Sequence, residues 1–202
     1  MNPGLAMVTY APPSANDFVA RLADAPCCAA IVSDATLDAA LASRVPILFI
    51  LRGNGLLLGA TVRRAHDARK LVAAHLDLID GVRADAAGVS WLARSGVDAI
   101  ITSHGQLISV IRQEGAVAVE RLLLSRRSHL DGALSAISRS DPDIVEILPG
   151  VVLPSVAHLM PGFRVPVLAG GFVRTEADVR AILAAGAVGV TTSSANLWTF
   201  NG

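Results

Sequence analysis

The sequence predicts an α/β protein built as a compact (β/α)8 TIM-type barrel with an N-terminal extension. Three observations lead to this fold class. Eight short apolar runs recur along the chain, segments of helical periodicity separate them, and the last two runs end in small residues. Alternating strands and helices require parallel strands joined by crossovers, and eight such units close a barrel. The alternative is a doubly wound open sheet, whose site would lie at one switch point.

Residues 1–26 are expected to form the extension, with one short helix over residues 16–23, and residues 27–202 the barrel domain. Glycines punctuate the helical segments in the barrel domain, since Gly96, Gly115 and Gly186 each stand just before a strand. The expected helix starts are Asp34 or Thr36, Asp85, Ser128 with Asp131, and Thr175 with Asp178. The expected strands are residues 27–32, 47–51, 71–76, 99–102, 117–122, 144–148, 165–169 and 187–191.

Composition limits the classes of function. The 17 basic and 17 acidic residues cancel, so a surface covered by nucleic acid is not expected, whereas a local basic patch is compatible with this balance. Cys27 and Cys28 are adjacent in an apolar run, which favours two buried thiols over a disulfide or metal site. No pair of histidines has metal spacing, so neither a metal nor another cofactor is expected.

The sequence carries no sign of export or membrane insertion. No basic segment precedes an apolar stretch at the N-terminus, as a signal peptide would require. The very apolar run that begins at Pro46 ends at Arg52, far short of the ~20 residues that span a bilayer. We therefore expect a cytoplasmic protein without membrane contact. The sequence leaves open whether the chain forms a homo-oligomer.

A phosphate-binding site is predicted where the seventh and eighth strands end. Gly170 and Gly171 follow one strand, and Ser193 and Ser194 follow the next, at the start of a short final helix. Glycine lets the backbone approach a ligand, and a helix N-terminus offers free N–H groups to an anion. Good turn chemistry alone also explains a Gly-Gly pair, so the motif by itself leaves both interpretations open.

Polar residues near the ends of other strands suggest a second part of the site. His75 and Asp77 share a face if the third strand continues through them, and Arg121 and Glu146 are expected near the same barrel mouth. The functional interpretation is that Asp77 and Glu146 bind the hydroxyls of a polyol, while Arg121 holds its anionic end. The alternative is a structural ion pair of Arg121 with Glu146 or Glu120. His75 is equally compatible with a ligand contact and with a core position.

Several blocks stand in the order and at the separations of one known family. They are residues 75–81, 100–103, 120–121, 145–150, 169–176, 190–194 and 197–198. Together they resemble the glycerol-3-phosphate-responsive antiterminators, the glycerol uptake operon regulators of bacteria, from about Cys27 to Trp198. The resemblance implies a (β/α)8 barrel that binds glycerol-3-phosphate and acts on leader mRNA to prevent early termination. His104 and Arg126 depart from the residue types common in the family, and these departures concern the RNA surface.

Two hypotheses of function follow. The first is a glycerol-3-phosphate-sensing, RNA-binding antiterminator, for which Arg126 and Arg127 at the rim are the candidate RNA contacts. The second is a barrel enzyme acting on a small phosphorylated substrate with Asp77 or Glu146 as general base. No lysine follows a strand where a Schiff-base nucleophile would stand, because Lys70 precedes the third strand. We therefore expect a regulator and assign no catalytic residue.

Overall fold

The computed structural model describes residues 12–125 and 129–201. Its barrel strands are β1 Cys27–Ile31, β2 Ile47–Ile50, β3 Leu71–His75, β4 Ala99–Thr102, β5 Val117–Leu123, β6 Ile144–Leu148, β7 Val167–Gly170 and β8 Gly189–Thr192. All pairs are parallel, and each strand pairs with its neighbours in the chain order of the strands. Because β8 also pairs with β1, the barrel is closed. The predicted fold class is thus confirmed, and the open sheet is excluded.

Helices cover the barrel. They are α1 Ala15–Ala20, α2 Asp34–Ala42, α3 Gly55–Asp67, α4 Ala86–Arg94, α5 Ile108–Gln113, α6 His129–Ser140 and α7 Glu176–Ala184. Between β6 and β7 the connection is instead a 3-10 segment, Gly150–Gly162. Pro154 and Pro161 lie inside this segment, and each removes a donor that an α-helix would need.

The helix starts predicted at Asp85 and at Thr175 with Asp178 are confirmed, as are the three glycine stops, whereas α1 ends at Ala20 rather than near residue 23. Asp85 accepts a hydrogen bond from the N–H of Gly88 at 3.0 Å. Thr175 and Asp178 form the predicted reciprocal capping box at the start of α7. Gly96, Gly115 and Gly186 have φ of +88°, +82° and +104°, which glycine adopts without strain. Ser33 caps α2, and the start predicted at Ser128 lies outside the described residues.

The helix expected in the N-terminal segment forms as α1 and packs against the N-terminal end of the barrel. Phe18 and Leu22 are buried among residues that begin the strands, including Ile47 and Leu71. The Phe18 and Phe49 rings meet edge to face, with centroids 6.5 Å apart. Burial of both aromatic rings stabilises this end of the barrel. Helix α1 therefore covers the end of the barrel opposite to the C-terminal ends of the strands.

Buried charges at the N-terminal end have structural partners. Lys70 donates to the carbonyls of Ser43 and Val45, both at 2.7 Å. Asp98, directly before β4, accepts from the N–H of Val72 at 2.7 Å, and burial raises its pKa to about 7. These contacts connect the segment before β3 to the segment before β2, and the segment before β4 to β3. Within the described ranges, no helix combines the length and apolar character needed to cross a bilayer.

Candidate functional site

A cavity of about 200 Å³ opens at the C-terminal ends of the strands. It is smaller than the roughly 300–1,000 Å³ typical of sites for drug-sized ligands, so it suits a small metabolite. Its polar lining consists of Arg121, Glu146, Arg174, Thr191, Thr192, Ser193 and Ser194. Its apolar lining includes Ala30, Val32, Leu51, Leu148, Phe172 and Val173.

The loops after β7 and β8 form one edge of this cavity. Gly171 has φ of +83°, in the left-handed region that favours glycine. The carbonyl of Val173 accepts from the Thr192 hydroxyl at 2.9 Å and from the Ser194 hydroxyl at 3.2 Å. The two loops are therefore fixed to each other before any ligand binds.

Three of the four residues predicted to bind phosphate line the cavity, and one does not. Gly171, Ser193 and Ser194 line the cavity, whereas Gly170 is buried as the last residue of β7 and does not line it. The N–H of Ser194 already donates to the Thr192 hydroxyl at 3.1 Å. Of the four residues, Gly170 and the N–H of Ser194 are therefore occupied within the barrel itself, which leaves Gly171 and Ser193 at the cavity edge.

Arg121 and Glu146 form a buried ion pair at the cavity floor. The Nε and Nη2 atoms of Arg121 both lie 2.8 Å from Oε2 of Glu146. The hydroxyl of Thr191 donates to Oε1 of the same carboxylate at 2.8 Å. Glu146 is 1% exposed, so this pair is held in an environment where charge separation would be costly.

The other ion pair weighed from the sequence, Arg121 with Glu120, does not form. Alternate residues of a strand point to opposite faces, and Glu120 faces the outer layer of the barrel. There the hydroxyl of Ser140 donates to its carboxylate, and burial raises the pKa of Glu120. Glu120 therefore belongs to the packing between β5 and α6 rather than to the cavity.

His75 and Asp77 lie together but away from the cavity lining. The strand ends at His75 and a 3-10 turn, Leu76–Leu78, follows. Asp77 accepts from the hydroxyl of Thr102 and from the N–H of Ser103, both at 3.0 Å. These bonds connect the loop after β3 to the end of β4. The structure therefore brings Arg121 and Glu146 together, and leaves Asp77 outside their contact.

His75 is a buried imidazole inside the barrel. Neither ring nitrogen has a hydrogen-bond partner among the described residues, although Nδ1 lies 3.8 Å from Oδ2 of Asp77. Burial and the charge of Arg121 lower the pKa of His75 to about 4, against the opposing effect of Asp77. The ring is therefore neutral at physiological pH, and it does not line the cavity.

The family profile of the glycerol-3-phosphate responsive antiterminators matches residues 27–198. The chain belongs to this family. A glycerol uptake operon antiterminator regulatory protein from Listeria monocytogenes has a solved structure that superposes with a TM-score of 0.80 at 28% identity. That match covers 85% of this chain and 94% of the Listeria chain.

Two further relatives extend over similar lengths. An antiterminator-related protein from Thermotoga maritima gives a TM-score of 0.77 at 27% identity, covering 87% of this chain and 98% of its own. The uncharacterized protein YgcP of Escherichia coli is 28% identical over 175 residues, which are 86% of this chain and 92% of YgcP. Residues 12–26, with α1, precede the part that matches the family profile.

Two residues of this antiterminator cavity were missed by sequence reasoning. Arg174 lines the cavity edge and is exposed, and within the described ranges its guanidinium has no carboxylate partner. Arg174 follows Gly170 by four residues, in the loop predicted to bind phosphate. This position in the sequence could have identified it as a site residue. Thr191 lies inside a strand that reads as apolar, and only the fold shows that its hydroxyl reaches Glu146.

The two arginines predicted to contact RNA cannot be assigned a position relative to the cavity. Arg126 and Arg127 lie outside the described residues. They follow β5, the strand that carries Arg121, so they remain candidates by their order in the chain alone.

Proposed function

We propose that this antiterminator family member senses glycerol-3-phosphate in the cavity and regulates glycerol-utilisation genes by binding leader mRNA. One observation carries the ligand assignment: the cavity has a positively charged edge and an electrically balanced floor. A phosphate monoester with a neutral polyol tail matches both halves. No step of bond making or breaking is needed for such a role.

The cavity edge supports binding of the phosphate group. A phosphate monoester carries about −1.5 to −2 charges at pH 7. Arg174 supplies a guanidinium without a carboxylate partner within the described ranges, and Gly171 and Ser193 bring backbone within reach of the cavity. Loops already tied through Val173 lose little freedom when they bind. This edge is where the phosphate would lie.

The cavity floor supports binding of the glycerol part of the ligand. Arg121 and Glu146 neutralise each other, so the floor offers donors and acceptors without net charge. We therefore assign Arg121 to the polyol end of the ligand and not to its anionic end, where it was expected from the sequence. Hydroxyls can donate to Glu146 and accept from Arg121, whereas a carboxylate there would face the carboxylate of Glu146. The floor should therefore select a polyol over an acid of the same length.

A ligand panel tests this selection. We expect glycerol-3-phosphate to raise the unfolding temperature clearly, because a ligand that binds only the folded state stabilises it. Inorganic phosphate and glycerol each fill half of the cavity and should give small shifts. 3-Phosphoglycerate should bind at least about tenfold more weakly than glycerol-3-phosphate, the equivalent of about 1.4 kcal/mol. Equal shifts for the two would remove the polyol assignment.

The proposed RNA binding rests on residues beside the opening of the cavity, which we call the rim. Phe172 is 71% exposed beside the cavity, with φ of +60°. A bulky residue in this region is strained, and an exposed ring offers a stacking surface for an unpaired base, worth roughly 1–3 kcal/mol per base. Arg126 and Arg127, which follow β5 in the chain, would add phosphate contacts. The rim would then hold single-stranded leader RNA.

RNA titrations with variants of Arg126, Arg127 and Phe172 test this assignment. Arg126→Ala/Arg127→Ala should lower affinity for the leader of a glycerol-utilisation transcript and flatten its salt dependence, because fewer counterions are released. Phe172→Ala should weaken binding by roughly tenfold with an unchanged salt slope, and Phe172→Tyr, which keeps the ring, should bind like wild type. If both variants match wild type in affinity and slope, RNA binds elsewhere.

An enzyme acting on a phosphorylated substrate is the alternative from the sequence. Both carboxylates considered as its general base already accept hydrogen bonds, Asp77 from Thr102 and Ser103, and Glu146 from Arg121 and Thr191. We therefore propose a binding role. Turnover assays on every ligand that shifts the unfolding temperature test this preference, and product formation would contradict it.

A further inference from the structure

Gly170 contacts Thr191. This contact suggests a role for Gly170 other than the predicted phosphate binding. The two residues are paired in register on β7 and β8. A Cβ atom added to Gly170 would lie 1.8 Å from Oγ1 of Thr191 and 3.2 Å from its Cβ. The Thr191 hydroxyl thus occupies the space that any other residue at position 170 would fill.

Because Gly170 has no side chain, a residue of β8 can contact a residue of β6 across β7. β6 and β8 both flank β7, so their side chains are separated by the width of that strand. Over Gly170, the Thr191 hydroxyl from β8 reaches Oε1 of Glu146 on β6, at 2.8 Å. The other carboxylate oxygen of Glu146 receives Arg121 from β5. Side chains of three strands, β5, β6 and β8, are therefore connected at the cavity floor, across β7.

We propose that Gly170 and Thr191 are positioning residues that fix the direction of Arg121 through Glu146. This inference rests on the proposed function in assigning Arg121 to the ligand's polyol end. A carboxylate held by Arg121 alone can rotate about its terminal torsion, which is broad. The Thr191 hydroxyl removes that freedom, and Glu146 then holds the Nε edge of Arg121 with its remaining donors facing the cavity.

Calorimetry with Thr191 variants tests the first link. Thr191→Val keeps the shape of the side chain and removes the hydroxyl, so we expect glycerol-3-phosphate affinity to fall about tenfold, as for a lost hydrogen bond to a charged group. Inorganic phosphate, which binds at the edge, should keep its affinity. Thr191→Ser retains the hydroxyl and should resemble wild type. Wild-type affinity in Thr191→Val would overturn the proposal.

A rescue experiment tests the second link. Gly170→Ala should lower both the unfolding temperature and glycerol-3-phosphate affinity, because its methyl group displaces the Thr191 hydroxyl. Thr191→Ala removes the clashing atom, so the double variant Gly170→Ala/Thr191→Ala should regain much of the stability lost in Gly170→Ala. A double variant less stable than Gly170→Ala would contradict the steric role.

A readout without ligand separates this proposal from the proposed function. The Nε–H resonance of Arg121, identified by its loss in Arg121→Lys, should be protected from exchange in wild type and lose that protection in Thr191→Val. If wild type fails to bind glycerol-3-phosphate but the resonance behaves as expected, the positioning role stands and the ligand assignment fails. If the resonance is unprotected in wild type, the positioning role itself fails.

Discussion

Glu146→Ala should weaken glycerol-3-phosphate binding by roughly 100-fold or more, while inorganic phosphate binding changes little. The variant removes the partner of Arg121 at a site where Glu146 is 1% exposed. It also removes the charged acceptor for the ligand's hydroxyls. A hydrogen bond to a charged group contributes about 1.5–3 kcal/mol, and each 1.4 kcal/mol is tenfold in affinity. Because the phosphate edge does not involve Glu146, the loss should be confined to the polyol end.

Calorimetry with both ligands checks this expectation. Glu120→Ala is the matched control, because Glu120 is a buried carboxylate one residue from Arg121 that faces the outer layer. It should leave both affinities unchanged. Glu146→Gln keeps the volume and one oxygen acceptor, and gives a second variant should the alanine variant unfold. Equal losses for glycerol-3-phosphate and phosphate in either Glu146 variant would mean that Glu146 is structural.

Gly171→Val should abolish anion binding and leave the barrel folded. A Cβ at Gly171 would meet its nearest neighbour, Pro149, at 3.6 Å, so space is available. The obstacle is φ of +83°, which a β-branched residue adopts only at a cost of order 1–3 kcal/mol. The backbone should relax to negative φ and turn the loop away from the cavity edge.

Phosphate titration together with thermal unfolding checks this prediction. The matched control is Gly81→Val, because Gly81 has φ of +82° with no atom within 4 Å of an added Cβ and does not line the cavity. The two variants should lose similar stability, and only Gly171→Val should lose phosphate affinity. Retained affinity in Gly171→Val would remove this loop from the ligand site.

Much of the fold could be predicted because its signals are local. Apolar runs and glycine stops are properties of a few adjacent residues, and they specified all eight strands and the ends of several helices. The connection between β6 and β7 was not predicted, because Pro154 and Pro161 replace the expected α-helix with a 3-10 segment. Prolines restrict a helix without indicating which other structure forms.

The site was predicted less completely because it depends on the directions in which side chains point at the ends of the strands. The alternation rule correctly pairs Arg121 with Glu146 across β5 and β6, since both lie within strands. It stops applying at His75, where the strand ends, so it gave no reliable direction for Asp77. The contact of Thr191 with Glu146 joins strands that are not adjacent. No pattern along the chain encodes it.

A sensor of glycerol-3-phosphate requires that ligand occupancy change RNA binding. The most direct measurement is a titration of wild-type protein with leader RNA of a glycerol-utilisation transcript, with and without saturating glycerol-3-phosphate at one fixed salt concentration. We expect RNA affinity to change by roughly 5–150-fold, the usual range of coupling between two sites, and ligand affinity to change by the same factor when RNA is saturating. Superimposable RNA titrations in the presence and absence of the ligand would contradict it.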